Sequence, residues 1–140
     1  MPKLTSKIKK WFDIPGDEDG AKVQILHLKK GEVQRIEAET SRWLGKSVND
    51  DFVSELEYNP QKQLRKLRIA ALIDWKEFYG LDGNPLDCNL KNKELYFTED
   101  PDLGIDPESG DPLPLSVWID KFRADLADEI KPQEEEAEKN

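Results

Sequence analysis

Two side chains with nucleophilic or acid–base chemistry occur once each in this chain, His27 and Cys88. A nucleophile–base–acid arrangement would need the histidine beside the cysteine or a serine, and a zinc site would need several more such ligands. His27 follows the β-branched residues Val23 and Ile25, so a histidine in a strand is the simpler interpretation. Cys88 precedes a candidate helix start, where the helix dipole can lower a thiol pKa, but we expect it to pack. A single cysteine excludes an internal disulfide and fits a reducing cytoplasm.

The tripeptide Gly45-Lys46-Ser47 matches the last part of a phosphate-binding loop. Such a loop also needs a glycine five residues before the Gly-Lys pair and a strand that leads into it. Thr40 occupies that earlier position, and the residues before it have helical spacing. We therefore interpret Gly45 as the end of a helix and predict no nucleotide site.

Acidic residues are abundant, 30 Asp and Glu against 21 Lys and Arg, but their spacing does not match a calcium loop. That loop needs oxygen-bearing side chains at its first, third and fifth positions, glycine at the sixth and glutamate at the twelfth. With Gly20 at the sixth position, Pro15 is first and Leu26 twelfth. With Gly104 sixth, Pro101 is third. We predict no metal, no cofactor and no catalytic residue, and hence no enzyme.

The overall composition limits the classes of partner. A net charge of −9 disfavours nonspecific binding to nucleic acid or to an anionic membrane, because both need a cationic surface. No apolar run approaches the roughly 18 residues of a membrane span. Trp11-Phe12-Asp13 lies where a signal peptide would need a long apolar region. We expect a single domain in the cytoplasm whose core uses many of the four Trp, five Phe and three Tyr.

The apolar spacing predicts a mainly α (α+β) fold, with a small N-terminal β-hairpin packed on a bundle of four to five helices. The hairpin comes from two apolar runs, residues 11–14 and 21–28, separated by a polar turn. Helical spacing occurs over residues 32–44, 61–79, 90–97 and 115–130, and residues 48–58 suit a further helical turn. Asn89 is a good N-cap, Pro132 should end the last helix, and Gly83 should have a positive φ in the Asp82–Pro85 turn.

Three segments differ in composition from the rest. Residues 1–10 contain four lysines and no acid, which predicts a flexible basic arm. Residues 131–140 have the composition of a disordered acidic tail. Residues 98–111, the acidic loop, hold six acids, two glycines and two prolines, which predicts a solvated loop. The single helical domain is then predicted over residues 11–130.

Aromatic side chains are the candidates for partner contact. Five fall on the apolar face of a predicted helix, which favours a core position over an exposed patch: Trp43, Trp75, Tyr79, Trp118 and Phe122. Trp11 and Phe12 adjoin the basic arm and could anchor either the hairpin or a partner. The candidate partner-binding residues are Trp11 and Phe12, together with Trp118 and Phe122 in a groove beside the final helix. Alternating blocks of like charge could also give self-complementary surfaces for a homo-oligomer.

Several short motifs resemble those of small tailed-bacteriophage proteins. The first set is Leu72-Ile-Asp-Trp75, the turn Asp82-Gly83-Asn84-Pro85-Leu86, Asn89, and a short helix with Leu95-Tyr-Phe97. The second set is Trp11-Phe-Asp-Ile-Pro-Gly16, Gly20-Ala-Lys-Val-Gln-Ile25 and the helix after Gly31, which look like the N-terminal part of the same proteins. Many of these are tail assembly chaperones of long-tailed phages.

The resemblance implies a mostly helical chaperone or adaptor of the bacterial cytoplasm, without catalytic residues. Such proteins bind the helical tape-measure protein, keep it soluble and recruit tail-tube subunits. An acidic carrier can shield an amphipathic helix in apolar grooves between its own helices. The alternative hypothesis is an acidic regulator or nucleic-acid mimic that blocks a basic protein surface, and it rests on the net charge and the acidic loop.

Overall fold

A computed structural model describes residues 8–48, 51–58 and 60–138. The described residues form β1 (Lys9–Asp13), β2 (Lys22–Leu26), α1 (Lys30–Glu39), β3 (Ser41–Val48), β4 (Asp51–Tyr58), α2 (Pro60–Ala71), β5 (Leu72–Lys76), α3 (Leu90–Glu99), β6 (Asp102–Leu103), β7 (Leu113–Pro114) and α4 (Leu115–Glu138). The chain groups into two compact units, of which the smaller is Leu28–Leu67 and the larger is the remainder. Most of the predicted basic arm, residues 1–7, lies outside the described residues, as do the last two residues of the predicted tail.

The larger unit contains a three-stranded sheet of order β1-β2-β5. β1 and β2 pair antiparallel, with Phe12 opposite Val23, so the predicted N-terminal hairpin is confirmed. β5 pairs antiparallel with the other edge of β2 and places Trp75 opposite Val23. Central β2 buries Val23 and Ile25 completely, because alternate residues of a strand point to the same face.

Helix α4 packs on β2 and supplies the other half of this core. Its buried apolar residues recur at helical spacing and are Leu115, Trp118, Ile119, Phe122, Leu126 and Ile130. Burial of each such side chain contributes about 1.5–3 kcal/mol. The predicted apolar stripe of the last helix is therefore confirmed as its core face.

Two caps set the boundaries of α3 and α4. The Asn89 side chain accepts a hydrogen bond from the Asn92 backbone N–H at 2.9 Å, which confirms the predicted N-cap of α3. α3 ends at Asp100, which has a positive φ of 45°. The Asp100 carboxylate then accepts hydrogen bonds from the Ser116 backbone N–H and hydroxyl at 2.8 and 2.7 Å. One residue thus ends α3 and caps the first turn of α4.

The acidic loop is anchored to the rest of the larger unit. Its first residues complete α3, and β6 pairs antiparallel with β7. The Ile105 backbone N–H donates to the Pro15 carbonyl at 2.6 Å, and the Trp118 indole N–H donates to the Leu103 carbonyl at 2.8 Å. The loop therefore joins the turn after β1 to α4, and it is not only a solvated connection.

The smaller unit contains α1, the β3–β4 hairpin and the first part of α2. α1 ends at buried Thr40, whose hydroxyl donates to the Ile36 carbonyl at 2.9 Å. β3 and β4 pair antiparallel over their whole length, from Ser41 opposite Tyr58 to Val48 opposite Asp51.

The predicted fold class is wrong. The described residues form an α+β fold with four helices, two small sheets and the short β6–β7 pair, and not a hairpin on a bundle of four to five helices. Residues 41–48 and 51–58 are strands, whereas helix was predicted up to residue 44 and a helical turn was considered for residues 48–58. Gly45 therefore lies inside β3 and does not end a helix. Short apolar runs satisfy both helical and strand spacing, and the tryptophan, phenylalanine and valines in these runs favour a paired strand.

Two other helix boundaries also differ from prediction. The helix predicted over 61–79 ends at Ala71, because the chain from Leu72 pairs with β2 and buries Leu72 and Trp75 there. Such tertiary contacts override a weak local preference for helix. α4 continues to Glu138, past Pro132 where we predicted its end. Residues 133–138, between Pro132 and the end of α4, are glutamate, glutamine and alanine, all strong helix formers.

Candidate functional site

Three of the four predicted partner-binding residues meet in one aromatic series between β1 and α4. The rings of Phe12 and Phe122 stack with centroids 4.7 Å apart and an interplanar angle of 15°. The Trp118 ring lies 5.7 Å from that of Phe122. Trp118 and Phe122 are only 2% and 6% exposed, and Phe12 is half-buried. These rings are hence mainly core, and a partner could reach only their edges.

Trp11, the fourth of these residues, lies on the other face of the sheet. Successive strand residues point to opposite faces, so the stacking of Phe12 on α4 directs Trp11 away from it. The Lys76 ammonium lies 4.7 Å from the centroid of the half-buried Trp11 ring, a cation–π distance. The structure therefore separates Trp11 from the other three residues.

A shallow cleft of about 320 Å³, the α4 cleft, lies at the predicted groove beside the final helix. It is lined by Pro15, Asp106, Pro107, Glu108, Trp118, Lys121, Phe122, Ala124 and Asp125. Among the charged residues of this cleft, buried Asp106 makes the most contacts. Its carboxylate accepts hydrogen bonds from the Glu108 backbone N–H and the Ser109 hydroxyl, and Lys121 lies 3.6 Å away. These contacts hold the pKa of Asp106 below its usual range, and the hydrogen bond from the Glu108 backbone has the largest effect. The carboxylate therefore organises its own loop.

A second cavity, the corner groove, has a volume of about 350 Å³ in the larger unit. It lies between α3 and the segment that follows β5, and it is lined by Tyr79, Gly80, Leu81, Leu86, Leu95, Tyr96, Glu99 and Pro101. Apart from the glutamate and the tyrosine hydroxyls, these side chains are apolar. The corner groove therefore offers an apolar surface to an incoming side chain.

Stacked aromatic rings and one indole hydrogen bond hold the wall of the corner groove. Trp75 and Phe78 stack with centroids 4.7 Å apart, and Tyr96 lies edge-on to Trp75 at 5.2 Å. The Trp75 indole N–H donates to the Leu86 carbonyl at 2.7 Å. The Tyr96 hydroxyl donates to the Tyr79 carbonyl. Trp75 and Phe78 are buried and Tyr96 is half-buried. Because stacking and hydrogen bonds within the chain hold these rings, the groove is formed before any partner binds.

The turn beside the corner groove is also specified by its residues. Gly83 has a φ of 79°, which confirms the predicted positive value. The Asp82 carboxylate accepts a hydrogen bond from the Asn84 backbone N–H at 3.0 Å, and that bond is the main reason that the pKa of Asp82 is lowered. The Gly80 backbone N–H donates to the Asn84 carbonyl at 2.9 Å. The turn projects Leu81 into solvent.

Exposed apolar side chains concentrate at this groove. Leu81 is fully exposed, Leu95 is 50% exposed and Tyr79 is 37% exposed. Single exposed apolar residues are normal on a protein surface, whereas several around one cavity indicate a binding surface. Sequence analysis missed Leu81 and Leu95 as site residues. The one available signal was an apolar residue, Leu81, inside an otherwise polar turn.

Backbone strain occurs on both sides of the corner groove. Glu77 and Asp100 are the two non-glycine residues with positive φ in the described part of the chain, at 60° and 45°. Glu77 lies two residues before Tyr79, and its carboxylate accepts a hydrogen bond from the Tyr79 hydroxyl, which raises the pKa of that hydroxyl. Left-handed non-glycine residues cost about 1–3 kcal/mol and cluster at functional sites.

Cys88 and His27, the two residues first considered for chemistry, both lie in surroundings that favour a structural role. Burial raises the pKa of the half-buried Cys88 thiol to about 11, so it remains protonated at neutral pH and packs, without activation by the helix dipole. The His27 backbone N–H donates to the Ile8 carbonyl at 2.8 Å beyond the end of β2.

Among the described residues, no three His, Cys, Asp or Glu side chains are arranged to hold a metal ion. Nor does that part of the chain contain a helix both long and apolar enough to cross a membrane.

Comparison of the chain with protein-family models, curated proteins and solved structures finds no match. The resemblance to phage tail assembly chaperones therefore remains a prediction from the residues.

Proposed function

We propose that this protein is a non-enzymatic adaptor or assembly chaperone that holds an amphipathic segment of a protein partner in the corner groove. The observation that supports this most is the position of exposed Leu81, Leu95 and Tyr79 around one preformed cavity of about 350 Å³. A cavity of that size accommodates large apolar side chains. Recognition of an amphipathic helix by an apolar groove uses such side chains at i, i+3, i+4 and i+7.

The preformed wall favours tight binding for its size. Trp75, Phe78 and Tyr96 are held by ring stacking and hydrogen bonds, so little side-chain entropy is lost when a partner binds. The strained backbone at Glu77 is consistent with a segment held in place for recognition.

The resemblance to tail assembly chaperones suggests the setting. The client would be the helical tape-measure protein of a phage or prophage, and tail-tube subunits would be a second partner. Both interactions would take place in the cytoplasm of the bacterial host. The edges of Phe12, Trp118 and Phe122 at the α4 cleft, and Trp11 on the opposite sheet face, would give secondary contacts. We favour this over the acidic regulator, because Asp100 and Asp106 of the acidic loop bind within the chain.

The groove can be tested with a fluorescein-labelled helical peptide that has leucines at i, i+3, i+4 and i+7 and glutamine elsewhere. Fluorescence anisotropy measures its affinity for the wild type and for Leu81→Ser and Leu95→Ser. We expect each variant to bind about tenfold more weakly, because burial of one leucine is worth at least ~1.5 kcal/mol. Leu90→Ser is the control, since Leu90 is 60% exposed on the same helix as Leu95 but does not line the groove. Equal affinities in all four proteins would refute binding at this site.

The cellular role needs a second assay. A phage tape-measure protein would be co-expressed with the wild type, with Leu95→Ser or with Leu90→Ser, and its soluble fraction compared by sedimentation. The proposal requires that the wild type and Leu90→Ser increase this fraction and that Leu95→Ser does so less. A client that is equally soluble with and without the wild type would refute the chaperone role.

A further inference from the structure

The corner groove carries charge of one sign. Among the eight residues that line it, Glu99 is the only charged one. Glu77 and Asp82 border it, because Glu77 accepts a hydrogen bond from Tyr79 and an Asp82 carboxylate oxygen lies 3.2 Å from a Cβ built on Gly80. No ion pair joins exposed Glu99 to another described residue. The apolar surface is therefore edged by carboxylates and has no lysine or arginine among its lining residues.

Resting on the proposed function, we propose that the partner segment is basic as well as apolar, with Lys or Arg beside the residue that enters the groove. Glu99 would meet that cation directly. Complementary charge at the edge of an interface speeds association and excludes partners of the wrong sign. The groove would thus select basic amphipathic segments from among all segments with the same apolar pattern.

A second copy of this chain is the weaker candidate as occupant. The chain has a net charge of −9, and an isologous contact at this groove would place the same patch of each copy, with its Glu99, together. Like charges across an interface are unfavourable. The basic segment 1–10 of this chain has the required composition, with four lysines and no acid, so it is included as a competing occupant below.

The test uses three labelled helical peptides with the same four leucines and with lysine, glutamine or glutamate at the flanking positions. Their dissociation constants for the full chain are measured by anisotropy at low and at high salt. We expect the order lysine, glutamine, glutamate from tightest to weakest, with about tenfold between the extremes, since each exposed ion pair is worth ~0.2–1 kcal/mol. The difference in affinity among the three peptides should largely vanish at 1 M salt, because the Debye length there is only about 3 Å.

The charge variant that tests the proposal is Glu99→Gln. The control is Glu37→Gln, which removes the same charge from an exposed residue that lines neither the corner groove nor the α4 cleft. Glu99→Gln should weaken the lysine peptide about threefold and leave the glutamine peptide unchanged, and Glu37→Gln should change neither affinity. Equal affinity for all three peptides would overturn the basic-segment proposal while the proposed function stood. Failure of every peptide to bind would overturn both. Tighter binding of a peptide of residues 1–10 than of the lysine peptide would assign the groove to this chain itself and overturn the proposal of a partner.

Discussion

Gly104 lies so close to Pro15 that a Cβ built on it would be 2.2 Å from the Pro15 carbonyl oxygen. The same Cβ would be 2.7 Å from a methyl group of Ile14. The backbone N–H of the next residue, Ile105, donates to that carbonyl oxygen. The turn after β1 and the acidic loop are therefore packed backbone against backbone, and only glycine fits at this contact.

Gly104→Ala should destabilise the protein by about 2–4 kcal/mol, because it adds an overlap to a left-handed residue with a φ of 57°. The free energy of unfolding in urea is the measurement. Gly110→Ala is the matched control, since Gly110 has a φ of 76° but no atom within 4 Å of its Cβ. It should cost only about 1–2 kcal/mol. Equal losses would mean that the close contact with Pro15 is not present in solution.

Trp75→Ala should cost about 3–5 kcal/mol of unfolding free energy, because a ring that is 6% exposed leaves a cavity under the corner groove. Trp75→Phe separates the two contributions of this residue. It keeps a ring to stack on Phe78 but leaves the Leu86 carbonyl without its donor, which should cost about 1–2 kcal/mol. Urea unfolding followed by circular dichroism gives both values. Normal stability of Trp75→Ala would contradict the core position of this ring.

Arg68→Met should destabilise the larger unit by about 1–2 kcal/mol, because it removes hydrogen bonds between two charged groups that are partly screened by solvent. Two guanidinium nitrogens of Arg68 donate to the Asp120 carboxylate at 2.9 and 2.6 Å. The Arg68 side chain is 20% exposed and that of Asp120 is 39%, so solvent screens part of the attraction. Arg35→Met is the control, because its contact with Glu39 is 3.9 Å long and exposed, and its loss should be under about 0.5 kcal/mol. Urea midpoints that fall equally in both variants would contradict a special role for the Arg68–Asp120 pair.

Alkaline pH should destabilise the protein through Cys88. Its thiol has a pKa of about 11 in the folded chain, against an ordinary value of 9.0, because burial disfavours the thiolate. Below pH 9 both the folded and unfolded chains hold the proton, and this contribution to stability is fully present. Between pH 9 and 11 only the unfolded chain ionises, so stability is lost as the pH rises. Iodoacetamide should label native Cys88 with an inflection near pH 11, and Cys88→Ala should flatten the decline of unfolding free energy over that range. An inflection near 9 in the native protein would contradict burial of the thiol.

Features with a local physical cause could be predicted from the sequence. Asn89 caps α3 because its side chain reaches the N–H three residues on. Gly83 has a positive φ because the turn requires one. The stripe from Leu115 to Ile130 repeats at 3.6 residues and could bury only as a helix. Two candidate site residues, Trp118 and Phe122, belong to that stripe, which is why the preferred core interpretation agrees with their burial.

The candidate site could be predicted only in part. The apolar spacing predicts a core position for Trp75 and Tyr79 but places both on a helix, whereas Trp75 lies in β5 and Tyr79 after it. Leu81 and Leu95 are 14 positions apart, and nothing in either local sequence indicates that they share a cavity. Their proximity depends on the Trp75–Leu86 hydrogen bond, which spans 11 positions, and on the packing of Tyr96 of α3 against Trp75.

The sequence by itself determined the N-terminal hairpin, the Asn89 cap, the glycine turn and the apolar stripe of the last helix, because each depends on residues that are close together in the sequence. Only the tertiary structure decided that residues 41–48, 51–58 and 72–76 are strands, because a strand is stabilised by a partner strand whose position the local spacing does not contain. It also decided that the acidic loop is anchored at Pro15 and that an apolar groove opens beside α3. Both arise where distant segments meet, and short apolar runs alone do not specify which segments will meet.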